Sequence, residues 1–450
     1  MKNTFRVGYG RRTVTPTEPI PLAGFSNELK RYHTRITEPI CVTCVALTDA
    51  ENNTVLMVGI DACTAGNIAT IGRERISKLT GIDETHIYIS ATHTHSAPGL
   101  AKQELPCIQR YTEQVMVAYE EAATEALADQ KAAQMFVGSI ETENLNFVKH
   151  YIAKDNATGE ISYIGDQYGT SEGKTILDHA TRADPTLHLV KFVREGCKDI
   201  VIANFRAHPH FTGGYKKYDL SSDFIGAFRM ALEAMYDCNS VYFQGACGNL
   251  NSSTRLAAER KYTTCRSHGT ALAAAALEGL ARCMSPVEPG AIRTKQVTLF
   301  GKINHANDHL IEQAKEIFAL WKETYDKPLC VEKAAAYGLH GPYHASATIK
   351  NYSRTDEEDG KLILNAVAIG DHLAFVTYPG EMFDTISVRI EDNSPFDHTL
   401  LLGYCYHHAG YLPSAAAYEY GCYEVDVTRF ERGMGETVAD TYTQMLKELK

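Results

Sequence analysis

The sequence has little that points to secretion, membranes or nucleic acid. Its 450 residues carry a formal net charge of −11, so the basic footprint of a general nucleic-acid binder is missing. No stretch approaches the roughly 20 apolar residues of a membrane span, and the opening Met1-Lys2-Asn3-Thr4-Phe5-Arg6-Val7 has no apolar signal core. There is one tryptophan, Trp321. The 12 cysteines form no zinc-knuckle or disulfide framework and read as reduced core thiols. The glycosylation-type tripeptides that begin at Asn52, Asn156 and Asn251 carry no meaning without secretion. A G-x-S-x-G elbow, a P-loop and a Rossmann glycine fingerprint are all missing. These absences lead to the expectation of a cytoplasmic protein that acts on a small molecule. Nucleic-acid and membrane partners are not expected, and self-association is left open.

What is present is ordinary for a globular enzyme: 44% hydrophobic and 22% charged residues. Strand-like apolar runs fall at 41–47, 54–60, 86–91, 134–137, 186–193, 200–205, 240–244, 361–369, 372–378 and 399–403. Helical periodicity falls between them, at 65–79, 109–128, 224–235, 256–283, 309–325, 383–391 and 436–449. Strands that alternate with helices predict an α/β protein, with mixed β-sheets flanked by helices. No linker or fixed repeat is visible, so residues 1–450 read as one domain with a weaker break near 286–290. The polar stretch 155–184 reads as a long loop or hairpin of the kind that serves as a lid.

Two histidine pairs carry the chemistry. Ile87-Tyr88-Ile89-Ser90-Ala91 runs into Thr92-His93-Thr94-His95-Ser96-Ala97-Pro98-Gly99. Ile200 through Phe205 runs into Arg206-Ala207-His208-Pro209-His210. Residues i and i+2 of an extended chain point to one face, so each pair can aim two imidazoles at one place. Strand ends at a sheet edge are where α/β proteins bind ligands, and imidazole is the commonest metal-binding side chain. A metal-dependent site is therefore expected.

Three further segments belong with it. Glu381, in Tyr378-Pro379-Gly380-Glu381, stands between a strand and a helix, as a helix-dipole partner or as a metal ligand. The segment 404–423 is dense in tyrosine and histidine, including His407, His408, Tyr411 and Tyr423, and the two histidines read as loop residues near the site. Phe243-Gln244-Gly245-Ala246-Cys247-Gly248-Asn249-Leu250-Asn251 follows a strand, and its glycines permit a turn whose amides could face a ligand. Cys247 reads as a buried thiol in preference to a nucleophile.

These pieces together resemble the catalytic domain of the neutral ceramidases. Residues 92–99 match that family's T-H-T-H-S-G-P-G segment with Ala97 in place of glycine. His208 matches its second histidine, with Pro209 and His210 replacing the next two residues. Pro379-Gly380-Glu381 matches its P-G-E segment, and Tyr411 and Tyr423 match its tyrosine-rich stretch. The opening segments 7–16 and 34–40 look similar as well, so the resemblance spans nearly the whole chain. It implies that His93, His208, Glu381 and Tyr411 hold one Zn²⁺ per chain. It also implies that His95 and Tyr423 face the substrate carbonyl and its oxyanion.

The departures shape the expected activity. The family's G-N-x-S-P-N serine is replaced at Asn251, with serines only at Ser252 and Ser253, which disfavours a serine mechanism and leaves a zinc-water route. The family's basic segment is displaced; Lys149 and His150, near Asn146, are its nearest counterparts. The family's C-terminal immunoglobulin-like domain is not expected, and the missing apolar docking stretch argues against a long-chain lipid. The expectation is hydrolysis of an amide, or next of an ester or lactone, in a smaller and more polar substrate. His210, Lys149, Asn249 and Asn251 are the candidate substrate contacts, with a supporting hydrogen bond the plainer role for His210. A metal-dependent lyase or isomerase on this scaffold and a catalytically inactive binding relative remain the alternatives.

Overall fold

Alternating apolar side chains build two sheets that face each other. The computed structural model describes residues 4–25, 31–101, 103–165, 171–213 and 217–450. The first sheet has nine strands: β1 (Arg6–Thr13), β2 (Cys41–Thr48), β3 (Thr54–Ile60), β4 (Ile87–Ala91), β5 (Lys131–Glu141), β6 (Thr186–Arg194), β7 (Asp199–Phe205), β8 (Cys238–Gln244) and β9 (Ser285–Val287). They run in the order β8-β7-β6-β5-β1-β2-β3-β4, with β9 paired to β5. The second sheet lines up β10 (Ile292–Phe300), β11 (Lys361–Ile369), β12 (Leu373–Thr377) and β13 (His398–Leu402) in chain order.

Within these sheets three pairs are parallel: β3 with β4, β7 with β8, and β12 with β13. A parallel pair needs a crossover, and a helix supplies each one. They are α1 (Asn67–Thr80), α3 (Asp223–Met235) and α8 (Asp384–Asp392). The other helices of more than one turn among the described residues are α2 (Pro106–Ala128), α4 (Cys265–Arg282), α5 (Ile311–Thr324), α6 (Lys327–Ala335), α7 (Pro342–Tyr352) and α9 (Met434–Leu449). Helix α1 shows why they stop where they do: Gly81 takes the left-handed conformation that glycine tolerates, and its N–H closes on Ser77 O.

Side-chain alternation sorts the layers. In β2, Val42, Cys44 and Ala46 face α1 and α2, while Val45 and Leu47 face the second sheet. In β7, Val201, Ala203 and Phe205 face α3 and α4, while Ile200 and Ile202 join Phe375, Leu400 and Leu402 between the sheets. On the far side, Leu364, Ala374 and Leu401 pack against α8 and α9. The result is four layers, helix–sheet–sheet–helix, with mixed sheets as expected. Helices α5–α7 form a separate cluster around Ile317, Cys330 and Leu339.

The expected strands and helices are present, with these differences. Helix α4 begins at Cys265 and not near 256, because Thr264 and Ser267 form a capping box that starts the helix there. Strands β1, β9 and β10 and helices α6 and α7 were not expected; β10 has only half-buried and exposed positions after Ile292. The stretch 155–184 contributes to a three-stranded antiparallel sheet of His150–Asp155, Ile161–Gly165 and Lys174–His179, and its residues 166–170 lie outside the described set. The break near 286–290 is where the chain passes from β9 of the first sheet to β10 of the second. Cys41 and Cys44 form a C-x-x-C spacing, yet they lie inside β2 as free buried thiols, and burial pushes Cys41 up to about 11. No described helix is long and apolar enough to cross a membrane.

Close packing of α2 on β1 depends on glycine. A Cβ on Gly10 would overlap the Ala122 carbonyl of α2, and one on Gly8 that of Ala126. Backbone cannot yield as a flexible side chain would. Gly10→Ala is expected to lower stability by about 1–3 kcal/mol, read as a lower thermal midpoint; an unchanged midpoint would contradict this packing.

Candidate metal centre and its cleft

Each parallel strand pair sends a side chain to one point. His93 lies just past the end of β4, His208 just past β7 and Glu381 just past β12. His93 adopts a left-handed backbone with φ of 66°, a conformation that costs of order 1–3 kcal/mol for a residue with a side chain. That turn carries the imidazole off the strand and stacks it on Tyr404, 3.9 Å between ring centres. Glu381 and Met382 pair in parallel with Tyr411 and Leu412, so Tyr411 is placed beside the carboxylate.

The ring orientations are fixed from behind. His93 Nδ1 donates to Cys63 O at 2.6 Å. His208 Nδ1 faces Cys247 O at 2.7 Å and Leu250 O at 2.9 Å. Both Nε2 atoms therefore point forward, 3.1 Å apart. Glu381 Oε2 sits 3.6 Å from His93 Nε2 and 3.3 Å from His208 Nε2. His95 Nε2 adds a fourth atom, 3.2 Å from His93 Nε2. All of His93, His208 and Glu381 are buried.

This arrangement fits a cation. Tetrahedral zinc with ligand distances near ~2.0–2.1 Å spaces its ligand atoms roughly 3.3 Å apart, close to the separations found here. A proton on His93 Nε2 could serve only one of His208, His95 and Glu381, whereas a divalent ion serves several together. Glu381 Oε2 is also buried without a hydrogen-bond partner, a costly state for a carboxylate oxygen. Burial pushes the Glu381 carboxyl up, but the neighbouring His93 and His208 outweigh it and hold it well below the usual range. Burial, and then the charge of Lys149, press His208 down to about 3, which keeps its Nε2 lone pair available.

The turn after β8 buttresses Glu381. Gly248 N–H donates to Met382 O at 2.8 Å, and a Cβ on Gly248 would overlap the Glu381 carbonyl. Those amides thus tie backbone to backbone and do not face a ligand. Cys247 Sγ lies 3.0 Å from Tyr404 OH, and burial pushes the thiol up to about 11, which makes it a poor nucleophile. Ser252 is buried, its hydroxyl donating to His208 O at 2.8 Å.

The remaining candidates divide by position. Tyr423 stands 5.7 Å from the Tyr411 ring, edge to face. His210 Nε2 meets Asn251 Oδ1 at 2.9 Å, alongside the His208–Asn251 bridge. Lys149 is buried, with Nζ 2.8 Å from Glu424 Oε1 and 5.3 Å from the centre of the Tyr411 ring. His150 pairs with the other Glu424 oxygen at 2.7 Å. Asn249 is engaged on both sides of its amide by Asp384, donating at 2.7 Å and accepting at 2.9 Å, so its place is structural. His408, read from the sequence as a loop residue near the site, brings Nε2 to 3.5 Å from Glu381 Oε1. Burial presses it down to about 4.

The centre opens into two cavities that share Tyr343, His408 and Tyr423 as a common wall. One, about 460 Å³, is lined by Glu381, Tyr411, Lys350, Arg354 and Arg429. The other, about 410 Å³, is lined by Ala23, Phe25, Pro98 and Leu100 together with Cys63 and Thr64. A larger cavity of about 800 Å³ lies elsewhere, beside Phe5, Met135 and Pro289, and among the described residues no histidine, cysteine or cationic side chain lines it.

The four-layer architecture defines a fold class, that of the neutral ceramidases. The neutral ceramidase from Pseudomonas aeruginosa superposes with a TM-score of 0.71 at 16% identity, over 100% of this chain and 75% of that one. A ceramidase complexed with C2 superposes with a TM-score of 0.72 at 16% identity, over 99% and 75%. No family model and no curated protein matches the sequence.

Two outcomes follow for metal content measured by plasma emission. The purified protein is expected to carry about one equivalent of zinc, and His93→Ala, His208→Ala and Glu381→Ala to lose it. Gly248→Ala, which touches no ligand side chain, is expected to weaken zinc binding by shifting Glu381. Full zinc retention in Glu381→Ala would contradict the three-ligand centre.

Proposed function

We propose that the protein is a zinc-dependent hydrolase of an amide bond in a small substrate, with ester hydrolysis the second chemistry. The observation that carries this reading is the convergence of two imidazole nitrogens and one carboxylate oxygen, all buried, at the head of a cleft. His93, His208 and Glu381 would hold the ion, with Tyr411 beside Glu381 as the fourth and more labile ligand. The bound ion supplies Lewis acidity, which makes water a nucleophile near neutral pH.

The chain's own groups do the rest. Burial, and then the neighbouring His93 and His208, keep the His95 imidazole neutral, so it can donate one hydrogen bond to a developing oxyanion. The Tyr423 hydroxyl, whose ionisation burial pushes far up, stays a donor throughout. No protein nucleophile is needed, which suits the raised Cys247 thiol and the committed Ser252 hydroxyl. The size of the two cavities favours a compact substrate, and the free thiols suit the cytoplasm. The fold likeness supports hydrolysis as the class.

The test is a panel of small N-acyl amides and esters in ¹⁸O-labelled water. The reading expects ¹⁸O in the released acid, loss of turnover on chelation and recovery with zinc. Tyr423→Phe and His95→Ala are expected to lower kcat by about 10²–10³-fold while Cys247→Ser stays active. Turnover without label would instead indicate a lyase or isomerase. Zinc bound with no turnover across the panel would indicate a binding protein.

A further inference from the structure

The basic side of the cleft has a specific origin. Helix α7 presents Tyr343, Ser346, Ala347 and Lys350 to the larger lobe, the i, i+3, i+4, i+7 spacing of one helical face. Arg354 follows the helix, and Arg429 arrives from the segment before α9. Three cations thus stand in one lobe of a chain whose net charge is −11.

The two arginines are met mainly by neutral groups, Arg354 Nη1 donating to Asn351 Oδ1 at 2.6 Å. The carboxylate nearest Arg354 is Asp359, at 3.9 Å. Arg429 takes two backbone carbonyls, of Asp359 and His408, each at 3.1 Å. Its Nε is buried without a hydrogen-bond partner. Arg354 and Arg429 are also near enough to disfavour each other's charge, after burial the next cause of the lowered pKa of Arg354. Glu381, the carboxylate that shares the lobe, is committed to the metal centre. Among the described residues, no lysine, arginine or carboxylate lines the companion lobe around Phe25 and Leu100.

We propose that the substrate carries an oxyanion, a carboxylate or a phosphate, which Lys350, Arg354 and Arg429 hold beside the metal centre while an uncharged part fills the other lobe. A guanidinium pair and an ammonium around one pocket form the charge-assisted hydrogen bonds such a group requires. The inference deepens the hydrolase reading and rests on it only in taking this cleft as the substrate site. It defines the substrate as a small anionic amide, of the kind an N-acyl amino acid represents.

The test uses hydroxamates, which bind a metal whatever the reaction. Monohydroxamates of succinic, glutaric and adipic acid are compared by titration calorimetry with uncharged hydroxamates of equal length, on the zinc-loaded protein. A phosphonate-bearing hydroxamate distinguishes phosphate from carboxylate preference. At least one charged probe is expected to bind about tenfold or more tightly than its neutral partner. In a Lys350→Gln, Arg354→Gln double variant the ratio is expected to fall to about threefold or less. Equal affinity in the wild type, or an unchanged ratio in a folded double variant, would overturn the proposal. Failure of every hydroxamate to bind would remove the metal centre itself, and the proposal with it, an outcome distinct from equal binding.

Discussion

Everything in this structure turns on three buried acceptor atoms held within touching distance of one another. Two imidazole nitrogens and a carboxylate oxygen share too few protons to satisfy one another in a dry interior. The fold holds them there nonetheless. Carbonyls of Cys63, Cys247 and Leu250 fix the rings from behind, and the Gly248 amide clamps the backbone next to Glu381. A cation between the three would serve all of them at once.

The layers explain how such a point can be held. His93 and His208 come from the first sheet and Glu381 from the second, so the centre sits where the two sheets meet. The apolar layer of Ile200, Ile202, Phe375 and Leu402 sets their spacing. Interiors packed at this density transmit shifts with little give, so the ligand separations depend on that layer. The same topology accounts for the cleft: each contributing strand is one of a parallel pair, and carboxyl ends of parallel strands leave a crevice between their loops.

The meeting of His93, His208 and Glu381 was legible in the sequence because these residues sit at strand ends with strong local signals, and their role as metal ligands is the proposal. Thr92-His93-Thr94-His95 and His208-Pro209-His210 follow runs of buried β-branched residues, and Pro379-Gly380-Glu381 marks the strand-to-helix turn. The fold class was legible for the same reason: buried strands such as 54–60 and 200–205 leave unbroken apolar runs. The basic lobe was not legible. Lys350 and Arg354 lie on and just after a short helix that follows Gly341 and opens on Pro342, and Arg429 reaches them only through the tertiary fold. His408 showed the limit of local reading, since nothing beside it in the chain announces Glu381. Asn249 was drawn toward the substrate by its place in a glycine turn, yet its amide is used by Asp384.

Two features bear on the proposed substrate: a cleft divided into two lobes of about 460 and 410 Å³, and cations in the larger one. The central claim, a zinc ion between His93, His208 and Glu381, is tested most directly by diffraction from crystals of the zinc-loaded protein on either side of the zinc absorption edge. The account predicts one anomalous peak about 2 Å from His93 Nε2, His208 Nε2 and Glu381. A map with no peak there, and the two imidazoles hydrogen-bonded to each other or to water, would contradict it.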